Sequence, residues 1–235
     1  MPRIERNKPI LILLAVALVV AWQAAAFQAN GIHPITGRHI AGVCGAGPCA
    51  VWLERPEREQ EENPDGALNA LNLKPGMVVA DVGAGTGYMS LKMARRIGPS
   101  GKVYAEDVQA EMLAKVRENA AKAGLKNVEP VQGTFTDPKL PPGRMDLVLL
   151  VDVYHEFSEP QEMLHGIRES LKPDGRLVLL EYRKEDPKIP ILEEHKMTVA
   201  EVKAELEPEG YVLRQVIETL PRQHILILTK SHALE

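Results

Sequence analysis

A glycine-rich segment between an apolar strand and an amphipathic helix constrains the fold of this chain most strongly. Residues 79–88 read V-A-D-V-G-A-G-T-G-Y, with glycines at positions 83, 85 and 87. Glycine has no Cβ, so the backbone there can turn sharply and lie close to a ligand. The dinucleotide fingerprint G-x-G-x-x-G would place its last glycine where this chain has Tyr88. The segment therefore predicts a small-molecule site at the end of a strand, and it disfavours a nicotinamide-dependent oxidoreductase.

Apolar strands and amphipathic helices alternate on both sides of this loop. We predict helices at residues 88–97 and 110–123, and strands at residues 77–82, 102–106, 128–131, 146–151, 176–181, 211–217 and 224–229. Ser158 with Gln161, and Thr198 with Glu201, have the spacing of capping boxes that open two later helices. Strands separated by helices form a parallel sheet, whereas the close final pair forms an antiparallel hairpin. The pattern predicts an α/β fold, a Rossmann-like doubly wound seven-stranded sheet with helices on both faces.

Charge and aromatic content argue against a nucleic-acid partner. The 235 residues carry a formal net charge of −4, with acids and bases interleaved along the chain. No cluster of Lys and Arg forms a track for phosphates, and the chain has only two Trp, five Tyr and three Phe to stack on bases. We therefore expect a small ligand rather than DNA or RNA.

Residues 1–30 have the organisation of an export signal. Three basic residues precede an apolar run at residues 10–22: Arg3, Arg6 and Lys8. The run is short for a membrane-spanning helix of about 20 residues but suits a signal-peptide core of about 7–15. Ala24 and Ala26 form an A-x-A pattern that places cleavage before Phe27. A signal peptide is favoured over a single-pass membrane anchor, and a buried core helix is the least favoured alternative.

The composition of residues 31–62 predicts a linker or lid, and the main domain follows at residues 63–230. The segment is rich in turn residues and contains both cysteines of the chain, Cys44 and Cys49, with His33 and His39 upstream. These four side chains could bind zinc, and the two cysteines could form a small disulfide in an oxidising compartment. Their spacing matches no strong metal motif, so we predict no metal site.

Four segments together resemble the class I S-adenosylmethionine (SAM)-dependent methyltransferases. They are D-V-G-A-G-T-G-Y, V-Y-A-E-D-V-Q-A-E-M-L, M-D-L-V-L-L-V-D-V-Y-H-E-F and L-K-P-D-G-R-L-V-L-L-E-Y. The chain is more closely similar to a bacterial subgroup with W-L-E-R-x-E-R, V-D-V-Y-H-E-F and H-K-M segments. The resemblance covers about residues 52–230. It implies SAM as cofactor, residues 63–230 as the methyltransferase domain, and sheet order 3-2-1-4-5-7-6 with strand 7 antiparallel.

The resemblance also implies a set of cofactor contacts: Asp81, Gly83, Gly85, Gly87, Asp107, Thr134, Phe135 and Asp152. Asp107 would hold the ribose hydroxyls, whereas strand alternation would turn Glu106 to the opposite face. Asp152 would line the methionine end and the acceptor mouth. Thr134 stands where many relatives place an acid for the adenine amine, so backbone amides and Phe135 would recognise the base.

The acceptor is not determined by these motifs, and we expect a small-molecule or lipid-like compound. His155 is the first candidate for a general base, with Tyr154 positioning the acceptor, because both follow the fourth strand. The alternative for His155 is a packing or helix-capping residue. Glu181 and Arg183 are interpreted as an ion pair at the end of the sheet, while His195, Lys196 and His224 lie in later connections. A SAM-binding module without catalysis is the alternative function, and no oligomeric state is predicted.

The charge asymmetry of the N-terminal segment predicts that the catalytic domain lies outside the cytoplasm. Basic residues precede the apolar run, whereas only Arg38 lies within about 15–20 residues after it. A fusion of residues 1–60 to a reporter that is active only outside the cytoplasm should be active. The same fusion lacking residues 2–22 is the control. A silent full fusion, with an intact N-terminus on the purified protein, would show that the domain works inside the cell.

Overall fold

The computed structural model describes residues 31–231, except for the side chains of Pro48 and Cys49. The predicted signal segment and the Cys49 side chain, which is needed for the disulfide alternative, therefore lie outside the described part of the chain, and Cys44 is not a free thiol. Within residues 31–231, no helix combines the length and apolarity needed to cross a membrane.

Helices and strands alternate along most of the described chain. The strands are β1 Val78–Val82, β2 Lys102–Asp107, β3 Val128–Gln132, β4 Met145–Val151, β5 Leu171–Arg183, β6 Lys196–Met197, β7 Tyr211–Ile217 and β8 Gln223–Lys230. The α-helices are α1 Ala46–Leu53, α2 Arg58–Glu62, α3 Pro64–Ala70, α4 Tyr88–Ile97, α5 Ala110–Lys122, α6 Pro160–Ser170 and α7 Val199–Leu206. Short 3-10 turns occupy Tyr154–Glu156 and Glu193–His195.

The strands form one sheet in the order β3-β2-β1-β4-β5-β8-β7, with β6 paired to the end of β5. Strand β8 runs antiparallel to both β5 and β7, and the remaining pairs are parallel. When the two-residue β6 is set aside, this is the predicted order with an antiparallel seventh strand. The carboxyl ends of the parallel strands meet at one edge, which is where ligands bind in sheets of this kind.

Apolar layers cover both faces of the sheet. On one face, Met89 and Met93 of α4 and Leu68 of α3 pack in one cluster with residues of β1, β4 and β8. On the other face, α6 and α7 pack against the same strands through Met163, Ile167, Val202 and Leu206. The central strands are buried on both sides, as expected from their uninterrupted apolar sequences.

Two predicted helix starts have different outcomes. At α7 the capping box is formed, since the Thr198 hydroxyl accepts from the Glu201 amide at 2.9 Å and the Glu201 carboxylate accepts from the Thr198 amide at 2.9 Å. At α6 the prediction was wrong: Glu159 is the N-cap residue, and the buried Ser158 hydroxyl has no partner among the described residues. Pro160 causes the shift, because its fixed φ and missing N–H suit the first helical position.

Buried ionic contacts fix the first part of the chain on α7. Arg38 bonds both carboxylate oxygens of Glu205, at 2.9 Å from Nε and 3.1 Å from Nη2. His33 Nε2 lies 3.2 Å from the same carboxylate, and burial lowers the pKa of this histidine. Glu205 is fully buried. A buried carboxylate is stable only with such partners.

Loss of the Arg38 partner should therefore destabilise the fold. We expect Arg38→Ala to lower the free energy of unfolding by about 3 kcal/mol, since it leaves Glu205 buried without its main counter-charge. Lys203→Ala is the matched control on the same helix, because the exposed Lys203 lies 3.7 Å from Glu207 and should contribute about 0.5 kcal/mol or less. Urea unfolding followed by circular dichroism measures both. Equal effects of the two variants would contradict a stabilising role for the Arg38–Glu205 contact.

Candidate functional site

A cavity of about 580 Å³ opens at the carboxyl ends of β1, β2, β4 and β5. It lies where the strand order reverses between β1 and β4, the usual ligand position in a doubly wound sheet. Seven of the predicted site residues line it: Gly83, Gly85, Asp107, Thr134, Phe135, Asp152 and His155. Asp81, Gly87 and Tyr154 are not on its wall.

The glycine-rich loop forms the floor of the cavity. Gly83 and Gly85 have φ angles of 71° and 55°, in the left-handed region that favours glycine. A Cβ at Gly83 would lie 2.6 Å from the Val153 side chain, and one at Gly85 would lie 2.7 Å from Leu53 Cδ1. Both positions therefore favour glycine for conformation, and Gly83 also for space, because the branched Val153 side chain has less freedom to move than the end of Leu53.

Two acids at the end of β2 face this loop. Asp107 accepts from the Gly85 amide at 2.9 Å and from the Gln109 amide at 2.8 Å. Glu106 accepts from the Gly83 amide at 3.3 Å through Oε2, while its buried Oε1 has no partner among the described residues. Burial raises the pKa of Asp107, and burial together with Asp107 raises the pKa of Glu106 to about 8.

The expectation that Glu106 points away from the site was wrong, because both acids line the cavity. Side chains alternate across a sheet, but β2 ends at the cavity edge, so residues from both of its faces can reach the opening. Glu106 is therefore a further candidate for contacts to a ligand.

Asp152 follows β4 in a strained conformation. Its φ of 54° lies in the left-handed region, which is uncommon for a residue with a side chain. Oδ2 accepts from Gln223 Nε2 at 2.7 Å, whereas the buried Oδ1 has no partner in the described part of the chain. Burial and the nearby Glu62 raise the pKa of Asp152 well above its ordinary value.

Asp81 lies beneath the site rather than on its wall. Its buried carboxylate accepts from the Ser90 hydroxyl at the start of α4. Burial raises the pKa of Asp81 to about 6. The aspartate thus links β1 to the helix that follows the glycine loop.

Thr134 and Phe135 stand at the rim after β3. The Thr134 amide donates to the Asp137 carbonyl at 2.9 Å, which closes a turn. Phe135 remains 48% exposed although it lines the cavity, so its ring is available to a planar ligand at the mouth.

Glu181, His155 and His195 form a hydrogen-bonded chain on the opposite wall. Glu181 Oε2 lies 2.6 Å from His155 Nδ1, and His155 Nε2 lies 3.1 Å from His195 Nδ1. The buried Glu181 also accepts from the Tyr154 amide at 3.0 Å through Oε1. Because the Glu181 carboxylate can only accept a hydrogen bond, His155 Nδ1 carries the hydrogen, and His155 Nε2 is an acceptor. Burial and the neighbouring His155 lower the pKa of His195, which favours its neutral form.

The interpretation of Glu181 and Arg183 as an ion pair was wrong. Glu181 bonds to His155, and Arg183 instead donates to Glu218 at 3.3 Å and to backbone carbonyls of the β7–β8 connection. His224 pairs with Glu185 and Glu218, at 2.9 and 2.7 Å, on the hairpin edge. The sequence placed Glu181 and His195 near the strand ends, but nothing in the local pattern indicated that they converge on His155.

Tyr154 faces the core instead of the cavity. Its ring is fully buried, contacts Phe157 edge-on at 5.6 Å between centroids, and its hydroxyl lies 3.5 Å from His33 Nε2. The 3-10 turn at Tyr154–Glu156 sends successive side chains in different directions, so His155 and Glu156 line the cavity while Tyr154 packs beneath them. The predicted role of Tyr154 in positioning an acceptor has no geometric support.

Comparisons with known proteins agree with this architecture. A family described as "Methyltransferase domain" matches residues 73–226. A crystal structure of a SAM-dependent methyltransferase from Aquifex aeolicus superposes with a TM-score of 0.74 at 30% identity, covering 79% of this chain and 98% of that one. The [4+2]-cyclase SpnF has a TM-score of 0.64 at 16% identity, covering 88% and 91%, so this likeness concerns the fold alone.

Among curated proteins, the ubiquinone/menaquinone biosynthesis C-methyltransferase UbiE of Escherichia fergusonii is 31% identical over 118 residues. The match covers 50% of this chain and 47% of the relative, so the chain spans about half the length of the curated relatives it matches. The family match extends over well more than half of the chain and includes the glycine loop, the acids after β2 and the turn after β4. The chain belongs to the SAM-dependent methyltransferase family, and S-adenosylmethionine is its cofactor.

Proposed function

We propose that this protein transfers the methyl group of SAM to an apolar small-molecule or lipid-like acceptor bound in the cavity. The observation that carries the proposal is the position of the Glu181–His155–His195 chain, which ends on a cavity wall that also contains Glu156 and several apolar side chains. A hydrogen-bonded base is useful at such a place when the acceptor carries a weakly acidic proton.

The cavity offers hydrogen-bond acceptors that match the hydrogen-bond donors of SAM. Glu106 Oε1 and Asp152 Oδ1 are buried without partners among the described residues, and both side chains line the cavity. Buried polar atoms are normally satisfied, so these two oxygens fit ligand donors such as the ribose hydroxyls and the α-ammonium group. Asp107 would add a carboxylate at the ribose side. The residues present therefore fit the cofactor.

The mouth of the cavity favours an apolar acceptor. Four exposed large apolar residues line it: Val43, Trp52, Phe135 and Leu192. Exposed apolar patches are typical of ligand or membrane contact. The curated relatives are named for C-methylation in ubiquinone and menaquinone biosynthesis, and an apolar acceptor for this chain agrees with that chemistry.

Bound SAM supplies an activated methyl group for in-line displacement, so the protein mainly aligns the acceptor and excludes water. In the proposed proton transfer, His195 Nε2 takes a proton from the acceptor while its Nδ1–H passes to His155 Nε2. The buried Glu181 carboxylate stabilises the resulting imidazolium through the His155 Nδ1–H bond. His155 is thus the middle member of a three-residue base and does not act as a base alone.

A SAM-binding module without catalysis is the alternative function. The likeness to SpnF, a protein named as a cyclase, shows that the fold alone does not determine the reaction. Incubation of the purified protein with methyl-labelled SAM and separate lipid and polar-metabolite extracts distinguishes the two functions. We expect label in the lipid fraction. Cofactor binding without label in either fraction would favour the binding module.

Removal of the Asp107 carboxylate should weaken cofactor binding. We expect Asp107→Ala to weaken SAM binding by about 1–3 kcal/mol, the scale of a lost charge-assisted hydrogen-bonded group. Glu129→Gln on the adjacent β3 is the control, because this acid is 49% exposed and pairs with Lys102 outside the cavity. Isothermal titration calorimetry measures both variants, and an unchanged affinity in Asp107→Ala would remove the assignment.

Glu106 should make the affinity depend on pH in the same experiment. Its pKa is raised to about 8, so the side chain of the free protein is neutral below that pH and charged above it. Because a cationic ligand prefers the charged form, affinity should rise between pH 6.5 and 8.5. Glu106→Gln should abolish that rise.

Methyl transfer should depend on His195 and on its neutral form. We expect His195→Ala to lower the rate by about 10²–10⁴-fold, the usual contribution of a general base, with His165→Ala on the exposed face of α6 as control. Since the pKa of His195 is lowered from 6.5, the rate should be constant from pH 7 to 8 and fall only at more acidic pH. Initial rates of label transfer measure this. A constant rate down to pH 5, with full activity in His195→Ala, would exclude the proposed base.

A further inference from the structure

We infer that His155, His195 and Glu156 form a binding site for a divalent first-row transition-metal ion on the cavity wall. One ligand atom from each side chain lies within 4.8 Å of the others. All three residues line the cavity. No metal site was predicted here from the sequence, because Glu156 and His195 come from separate connections.

The separation of the two imidazole nitrogens suits coordination. Metal–nitrogen bonds of about 2.0–2.1 Å place neighbouring ligand atoms about 2.8–3.0 Å apart in octahedral sites and about 3.3–3.4 Å apart in tetrahedral sites, and the distance observed here lies between the two. His155 Nε2 and His195 Nδ1 are 3.1 Å apart, and their rings are nearly perpendicular at 87°. A metal ion bound by both nitrogens would take the place of the hydrogen between them, with both rings turning so that their lone pairs meet at the ion.

The surroundings of His155 have the form that supports metal ligands. Its Nδ1 lies 2.6 Å from the Glu181 carboxylate, which fixes the ring and leaves Nε2 free to coordinate. A carboxylate bonded to the outer nitrogen of a ligating histidine is the usual supporting contact in such sites. Glu156 is held on the same wall by a hydrogen bond from the Cys44 backbone.

The composition of the site limits the class of ion. Two imidazoles and one carboxylate suit zinc, iron, cobalt, nickel or manganese rather than calcium or magnesium, which prefer all-oxygen ligands. Three protein ligands leave open positions toward the cavity, where an oxygen of the acceptor could bind. A metal ion here would take the place of the proposed base, because it would occupy His155 Nε2 and His195 Nδ1. It would lower the pKa of a coordinated acceptor hydroxyl, and the proton of that hydroxyl would go to solvent water.

Three zinc candidates from the sequence have described side chains, and they form no such cluster: His33, His39 and Cys44. His33 is buried against Glu205 and the Tyr154 hydroxyl, at 3.2 and 3.5 Å. His39 is exposed, and Cys44 is not a free thiol. The inferred site therefore uses a different set of residues from the one that the sequence offered.

Metal titration of the full-length protein, without SAM or acceptor, tests this inference independently of methyl transfer. Zn²⁺ in calorimetry and Co²⁺ in visible absorption are the probes, after treatment with a chelator. We expect one equivalent to bind, with the hydrogen of the neutral His195 imidazole moving from Nδ1 to Nε2 as Nδ1 coordinates. Absence of stoichiometric binding would overturn the inference, whether or not the protein transfers methyl groups.

Variants separate this site from adventitious binding. We expect Glu181→Gln to weaken binding about 10–100-fold, the effect of losing a supporting contact, and His195→Ala to weaken it further. His165→Ala is the control, since this exposed histidine lies on α6 away from the cavity. Circular dichroism confirms folding of each variant. Equal affinity in His195→Ala and the wild type would assign the ion to another place and reject the site.

Discussion

The buried carboxylate of Glu181 is the constraint on which the arrangement of the site depends. It is fully buried at the cavity end of β5, where an unpaired charge would be strongly destabilising. Its two oxygens are satisfied by the Tyr154 amide and by His155 Nδ1, at 3.0 and 2.6 Å. Both partners come from the turn that follows the neighbouring strand β4. The position of that turn and the tautomer of His155 therefore follow from satisfying one carboxylate.

The segment before the main domain supports the same turn from the other side. The His155 carbonyl accepts from Arg38 Nη1 and from the Ala41 amide, both at 3.1 Å. Arg38 is in turn held by the buried Glu205 of α7. Further along, Trp52 and Leu53 of α1 reach the cavity wall. Residues 31–62 are therefore part of the site as well as a connection. Without them, the cavity would be open on this side.

The sequence predicted the features that local chemistry determines. Strand and helix bounds agree at α4 and β7, because apolar periodicity and glycine placement act over a few residues. At β5 they differ, since this strand begins at Leu171 and includes the residues 172–175 that predicted a turn. Convergence across the fold was less predictable. Glu181 and His195 are 14 positions apart, and both contact His155 only because β5 and the following 3-10 turn lie beside the β4 turn. Glu106 was misassigned because alternation holds within a strand but does not exclude a side chain at the strand's end from a cavity. Tyr154 was misassigned because a 3-10 turn separates neighbouring side chains.

The burial from water that suits methyl transfer also explains the raised pKa values of the acids around the cavity. Burial raises the pKa of Glu106 to about 8 and that of Glu156 to about 7, so the free cavity avoids several adjacent negative charges. A bound cation favours ionisation of one carboxyl group beside it. The cation and the carboxylate together add no net charge to the low-dielectric site. An anion has no such compensation, since ionisation of an acid would only add repulsion. The wall therefore favours a positively charged ligand such as a sulfonium cofactor, and it does so through proton release rather than through permanently charged side chains.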